Sequence, residues 1–483
     1  IYTEGGMRLR YACLLGNASR DFRNYKGQDP NLDLYDHLPT LLRTDFPITP
    51  IPLTSRLAYA SDDGLSSFDV APTGDLDIPD IGTGRLPASN ATEAMDLVDR
   101  AIAYAADPDP GTWRNEVIFA ADDCVTFSSW PTPIQGEQAH TLHAEDLAGL
   151  YLPEALDLRK IYGVAYDFPP SSRVKPDMRS DINEALGRGA TMFYYVGHGA
   201  EDNLADEQIF QSTDIPNLGN GMKRPLFNAF SCDVGVFDSP SHHSMAEKFI
   251  LEEDGGAIGS ICASQVSFAH SNRLLANAFY GSLFPGRRVD PGIGVSEALA
   301  MGKSLMTSRD YRKNSQRYNL LSDPALRLPH PVDDLAFSAA SDDTMAAGNL
   351  MTARMDASGG KALLTPGDRY ELLAEESGFE FGYIYAYRDS STGDPQNPFV
   401  RVPRWDTFPH RGSTVFRGNG VVGTGDLEVP FMVPAQLRYG DTARLRLITT
   451  GLDGENSAIR HLPAVRAAID ANDDVFGPRI DLA

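Results

Sequence analysis

His198 and Cys232 are two residues of this chain whose types, taken together, could do covalent chemistry. Each stands just past a short apolar run. Met192-Phe193-Tyr194-Tyr195-Val196 breaks at Gly197 and delivers His198-Gly199, and Pro225-Leu226-Phe227-Asn228-Ala229-Phe230 delivers Ser231-Cys232. A thiolate is a strong nucleophile, and a nearby imidazole favours it as His⁺ and later returns a proton to a leaving amine. Glycine after His198 lets the backbone approach a substrate, which makes the Gly199 and Cys232 amides the candidate oxyanion donors. Taken singly, each residue also reads as ordinary strand-end packing, a buried cysteine or a satisfied histidine. Their joint placement after two strands predicts a cysteine peptidase built on a Cys–His dyad.

The elements that must position this pair follow from the same runs. A gap of thirty-four positions fits a loop and crossover between neighbouring parallel strands, which puts both side chains on the carboxyl-end rim where open α/β sheets build their sites. Another apolar run, Val117 to Ala121, ends at Asp122-Asp123 on what would be the same rim. A carboxylate there could hold the imidazole in one tautomer, and Asp123 is the candidate; a solvated loop or a helix cap is the plainer reading of either aspartate. Apolar strands near 117–121, 192–196, 225–230 and 257–262 alternate with helical stretches near 144–152, 180–187, 244–253, 271–283 and 295–306, the periodicity of a parallel sheet. An opening strand at Tyr11–Leu15 and a helix over Thr92–Tyr104 form a first α/β layer, closed by the break Asp107-Pro108-Asp109-Pro110-Gly111. After Pro329-His330-Pro331 the texture turns to alternating runs such as Ala443-Arg444-Leu445-Arg446-Leu447, the pattern of an antiparallel sandwich. The expected organisation is an α/β peptidase domain of two α/β subdomains, 1–110 and 111–331, then an immunoglobulin-like β-sandwich over 332–475, with 476–483 opening a further domain.

Tyr195-Val196-Gly197-His198-Gly199 and Ser231-Cys232-Asp233-Val234-Gly235-Val236-Phe237 resemble the catalytic segments of gingipain-type cysteine peptidases, relatives of caspases. LRYACLLGNASRDFRN (Leu9 to Asn24), IPDIGTGRLPAS (Ile78 to Ser89), WRNEVIFAADD (Trp113 to Asp123), GGAIGSICAS (Gly255 to Ser264) and YNLLSDPALRL (Tyr318 to Leu328) appear in order, and within the family they are most similar to the type IX secretion sortases. LEVPFMVP (Leu427 to Pro434) and FGPRIDLA (Phe476 to Ala483) resemble the downstream sandwich region of that group. The resemblance implies a caspase-like parallel-sheet fold, Cys232 as nucleophile, His198 as catalytic histidine and Asp123 as its acidic orienter. It implies an exported enzyme, at the outer-membrane surface or extracellular. Such an enzyme removes C-terminal β-sandwich export signals from type IX cargo by hydrolysis or transpeptidation. An outer-membrane β-barrel partner and an amine acceptor such as lipopolysaccharide come with it. Thr141 falls near the acidic specificity residue of the arginine-cleaving members, a departure that puts cleavage at basic residues in doubt, and Phe268 falls on their aromatic pocket wall. A degradative gingipain-like endopeptidase and a catalytically silent peptidase-fold scaffold are the two alternatives.

Composition narrows the partners. The chain has 483 residues, 42% of them hydrophobic, which is enough for two or three cores. A formal charge of −24 disfavours nucleic acid and anionic membrane surfaces. Eight lysines stand against thirty-four arginines, a bias that fits salty surroundings and that GC-rich coding also produces. The four cysteines form no dense disulfide pattern, and Cys13, Cys124 and Cys262 read as structural. His242-His243 and the carboxylates Asp62, Asp63 and Asp69 lack the spacing of a transition-metal site. The chemistry requires no cofactor, whereas the resemblance implies a structural calcium with no ligands assigned. Neither a signal peptide nor an apolar run long enough to span a membrane is seen, and the chain reads as the middle of something longer.

Overall fold

The computed structural model describes residues 9–21, 38–44, 58–68, 78–106, 111–125, 132, 139–169, 172–331, 335–339, 341–356, 364–391, 399–451 and 454–466. The expected domain start at 476–483, the break at 107–110 and Asp69 lie outside the described residues.

Eight strands make the main sheet: β1 (Tyr11–Leu15), β2 (Gly82–Leu86), β3 (Glu116–Ala121), β4 (Asp157–Tyr162), β5 (Met192–Val196), β6 (Leu226–Phe230), β7 (Gly259–Ala263) and β8 (Tyr318–Leu321), in the spatial order β1-β2-β8-β7-β6-β5-β3-β4. All neighbours run parallel except β7 and β8. The helices α1 (Ala91–Ala106), α2 (Ala139–Tyr151), α3 (Pro176–Arg188), α4 (Met245–Leu251), α5 (Ala269–Leu283), α6 (Val295–Ser304) and α7 (Arg309–Ser315) fall close to the periodic stretches, α7 excepted. The central strands β5, β6 and β7 are buried along their whole length, so they carry apolar runs rather than alternation. Strand β8 runs antiparallel to β7, although the connection over 264–317, which carries α5, α6 and α7, is long enough for a parallel crossover.

Two strands carry no apolar run at all. Strand β2 reads Gly-Thr-Gly-Arg-Leu, whose two glycines disfavour a strand. A Cβ at Gly82 would sit 2.1 Å from Ser296 Oγ of α6, and one at Gly84 would sit 2.4 Å from the Ser322 carbonyl. Close packing selects glycine there against propensity. Strand β4, Asp157-Leu-Arg-Lys-Ile-Tyr, is the far edge, and its half-exposed Arg159 and Lys160 mask it.

The first layer is tied in by a buried ion pair. Arg85 of β2 is fully buried, bonds both oxygens of Asp62 at 2.8 Å, and donates to the carbonyls of Gly16 and Leu38 at 2.8 Å. Lys303 of α6 donates to Asp63 Oδ1 and to the Tyr318 carbonyl, each at 2.5 Å.

The chain divides into two compact units: Ile1–His330 with Gly382–Asp406, and Pro331–Phe381 with Thr407–Ala483. The second unit is a β-sandwich. Strands β9 (Leu350–Met355) and β14 (Leu427–Met432) form one layer. Met345–Ala346 with β10 (Arg369–Glu375), β13 (Thr414–Val421), β15 (Gly440–Gly451) and β16 (Gly454–Val465) form the other. Alternate residues face inward, as in the strict buried/exposed alternation of β14, where Leu427, Val429 and Phe431 meet Met351, Ala353 and Met355 of β9 and Leu445 and Leu447 of β15. The hairpin of β11 (Phe379–Ser391) and β12 (Phe399–His410) interrupts the span 332–475, since Gly382–Asp406 belongs with the first unit.

Candidate active site

Strands β5 and β6 pair in register from Met192↔Leu226 to Val196↔Phe230. His198 and Cys232 therefore stand two residues beyond the same rung. The register continues past the strands, because Ser231 Oγ donates to the Gly197 carbonyl at 2.7 Å. Gly197 has φ 155°, and a Cβ there would lie 2.3 Å from Asp122 Cβ. At Gly199 a Cβ would lie 2.4 Å from Ser231 Oγ and 3.1 Å from the Cys232 carbonyl, so only glycine lets the His-Gly and Ser-Cys segments meet. The bridge between Gly199 and Leu204 is closed by flanking bonds, Ala205 N–H to His198 O at 2.9 Å and Ala200 N–H to Asn203 O at 3.0 Å, which leaves the Gly199 amide out of that ladder.

Behind His198 lies a buried charged cluster. The Asp122 carboxylate accepts the His198 backbone N–H at 3.0 Å and the Asp123 N–H at 2.9 Å. The Tyr195 hydroxyl donates to the His198 carbonyl at 2.6 Å. Asp123 lies two residues past the end of β3, and its carboxylate is held by the Lys175 ammonium and the Val125 N–H. Asp123 is the residue expected to orient His198; in the structure its carboxylate has these two partners, and Asp122 touches the His198 segment through the backbone. Burial, then the neighbouring Asp123, holds the Asp122 carboxyl well above the usual carboxylate range. Glu207 shares the cluster, and burial, then Asp122 and Asp123, pushes its carboxyl up to about 8. From α2, the His140 ring meets the His198 ring edge-on at 5.5 Å between centroids, and burial pushes His140 down to about 4.

Cys232 is part-buried, and its sulfur faces Ser267. The thiol reaches the Ser267 carbonyl at 3.3 Å, and the Ser267 N–H reaches the sulfur at 3.3 Å. Burial raises the thiol above its ordinary value, the Ser267 bonds oppose this, and Asp233 and Arg317 add smaller effects of opposite sign. Asp233 takes φ 57°, a left-handed backbone that is uncommon for a residue with a side chain and that turns the chain away directly after Cys232.

Of the two residues expected to shape specificity, Phe268 directly follows Ser267 and is 40% exposed, with the Arg317 guanidinium 5.8 Å from its ring. Thr141 is buried at 1% exposure beside His140, and its hydroxyl has no hydrogen-bond partner. Cys262 is core, 2% exposed. His242 and His243 pair with Glu201 and Glu247. Among the described residues no group of three or more His, Cys, Asp or Glu side chains is placed to hold a metal ion. Asp62 and Asp63 are taken by Arg85 and Lys303, so these residues do not fit the calcium that the resemblance implies. Sequence reading puts Asp122 on the rim but gives the orienting role to Asp123, and it does not single out Lys175, Glu207, His140 or Ser267. The scarcity of lysine, eight in the whole chain, is a sequence signal that could have drawn attention to Lys175.

Residues 1–329 match peptidase family C25. Among solved structures, the Arg-specific cysteine proteinase gingipain R is 15% identical, with 96% of this chain and 86% of that chain covered and a TM-score of 0.49. A complex of the pro- and mature domains of RgpB from Porphyromonas gingivalis is 15% identical, covering 96% and 88%, at a TM-score of 0.47. The Saccharomyces cerevisiae separase–securin complex is 11% identical over 50% of this chain and 14% of that one, at 0.33. No curated protein matches the sequence. With about two thirds of its length matched, the chain belongs to peptidase family C25, the gingipain family of cysteine peptidases with a caspase-like α/β fold.

Proposed function

We propose that this peptidase acts through Cys232 and His198 as a type IX secretion sortase, removing C-terminal export signals from cargo proteins at the cell surface. The observation that carries the catalytic part is the shared rung: two parallel strands end in register, and each delivers one member of the pair two residues later. Cys232 passes its proton to His198 and attacks the peptide carbonyl. His198 then protonates the leaving amine, and a thioester links the cargo to Cys232. The Gly199 and Cys232 amides stabilise the oxyanion, a contribution of about 3 kcal/mol per donor to the barrier. Asp122 anchors the His198 backbone, and Asp123 is held in the cluster behind it by Lys175. Water or an amine, such as one borne by a surface lipopolysaccharide, releases the cargo, giving hydrolysis or transpeptidation. Side chains and backbone suffice for these steps.

The sortase assignment rests on the ordered segments from Leu9 to Leu328 and on LEVPFMVP and FGPRIDLA. The sandwich unit is the candidate for docking an outer-membrane β-barrel or presenting cargo, and the enzyme would act outside the cell. Intact-mass analysis of a cargo protein bearing a C-terminal signal, incubated with wild type or Cys232→Ala and with or without an added amine, tests it. Loss of the signal that depends on Cys232 supports the reading, and a product heavier by the amine establishes transpeptidation. Cleavage of unrelated unfolded protein with the signal left intact favours a degradative endopeptidase. Unchanged substrate with both proteins favours a scaffold.

A further inference from the structure

Ser267 belongs to the loop that follows β7, thirty-five positions after Cys232, and nothing in its sequence setting marks it. It is 7% exposed and touches the sulfur through three groups: its carbonyl and its N–H at 3.3 Å, and its hydroxyl at 3.9 Å. The carbonyl can accept only from the protonated thiol. The N–H and the hydroxyl donate to lone pairs on sulfur, which both states have, and these bonds strengthen when the sulfur becomes a charged thiolate as its proton moves to His198. The hydroxyl hydrogen has three acceptors in reach, the Ser231 carbonyl at 3.0 Å, the Tyr318 hydroxyl oxygen at 3.1 Å and the sulfur at 3.9 Å.

A buried amide relay holds that hydroxyl in place. Asn314 Oδ1 accepts the Phe268 N–H at 3.0 Å, Asn314 Nδ2 donates to Asn272 Oδ1 at 2.9 Å, and Asn272 Nδ2 donates to Ser267 Oγ at 2.9 Å. Asn272 is 4% exposed and Asn314 fully buried. Every bond runs the same way and ends on the Ser267 oxygen as an acceptor, which leaves its hydrogen to be donated onward; bonds chained like this strengthen one another in a low-dielectric interior. Tyr318 OH lies 3.1 Å from the same oxygen and 3.5 Å from the Ser231 carbonyl. Both strand-end segments of the Cys232 loop are thereby referenced to α5 and α7.

We propose that Ser267 clamps the Cys232 sulfur in both protonation states, stabilising the thiolate through its N–H and hydroxyl, with Asn272 and Asn314 as the positioning residues that aim it. This rests on the reading of Cys232 as nucleophile, but its test does not need turnover. Iodoacetamide modification of Cys232 in the full chain, followed by peptide mapping to exclude Cys13, Cys124 and Cys262, gives the pH profile of the thiolate. The other groups that bear on that profile, Asp233, Arg317, Tyr318 and His198, stay in place. Losing one hydrogen bond to a charged group moves the midpoint of the Ser267→Ala profile upward by about one pH unit. Asn272→Ala follows in the same direction, and Ser267→Thr, which keeps the hydroxyl, holds the wild-type profile. With a peptide substrate, kcat at a pH below the midpoint falls about tenfold while KM stays put. Wild-type profiles in Ser267→Ala and Asn272→Ala proteins of unchanged thermal midpoint overturn the proposal; if an alanine variant does not fold, Ser267→Gly is read instead. Should Cys232→Ala retain turnover, the nucleophile assignment fails separately, because the alkylation profiles still decide the clamp.

Discussion

The two adjacent aspartates at the end of β3 show how much one position matters. Asp122 accepts two backbone N–H groups and so shapes the turn that carries His198, whereas Asp123 is spent on Lys175. Successive side chains at a strand end diverge, so neighbours in sequence face different partners. With Glu207 the cluster places three carboxylates around one buried ammonium. The Glu207 carboxyl titrates near 8 in the folded protein and at the ordinary glutamate value when unfolded. The folded state therefore holds the extra proton in that window. Its stabilising contribution is complete below the unfolded value and is lost as the pH rises toward 8. Glu207→Gln removes this loss: its thermal midpoint is expected to match wild type in mild acid and to exceed it by roughly 2–4 °C above pH 8. Equal midpoints at alkaline pH would show that Glu207 is not held protonated.

At the scale of elements, the β5–β6 pair works because two glycines remove what side chains would block. A methyl at position 199 would meet Ser231 Oγ, which is already bonded to the Gly197 carbonyl, so the strand ends would have to part. Gly199→Ala is expected to lower kcat at least a hundredfold, since misplacing reacting groups by about an ångström is enough for that. The same change lowers stability by only about 1–3 kcal/mol, the usual range for overpacking. Stopped-turnover kinetics with chemical denaturation of the same preparation separates the two effects; parallel losses would mean the site simply unfolds.

For the whole molecule, the two units have separate cores, one around Phe193, Phe227 and Phe249 and the other around Met351, Phe431 and Leu445. Calorimetry is expected to show two transitions. Arg85→Met tests the assignment, because it strands Asp62 as an unpaired buried carboxylate among groups that all belong to the first unit. Breaking a buried pair in this way costs about 3–5 kcal/mol, and the penalty should appear in one transition while the other stays fixed. A shift of both together would mean that the units unfold as one.

The sequence by itself determined what local chemistry can encode. Runs of apolar residues, one broken by Gly197 and the other running from Pro225 up to Ser231, announced β5 and β6 and the residues they deliver, and period-two alternation announced the sandwich. The ordered segments carried the family, and the match over 1–329 agrees with them. Tertiary structure decided everything that depends on partners distant in sequence. Strand β2 was illegible because its glycines answer to Ser296 and Ser322, more than two hundred positions away. Tertiary structure puts Asp123 on Lys175 and Asp122 on the His198 backbone, and the groups that face the Cys232 sulfur come from Ser267, thirty-five positions on. Hydrogen bonds and ion pairs of this kind are fixed by distance in space, and a linear pattern records only the elements that carry them.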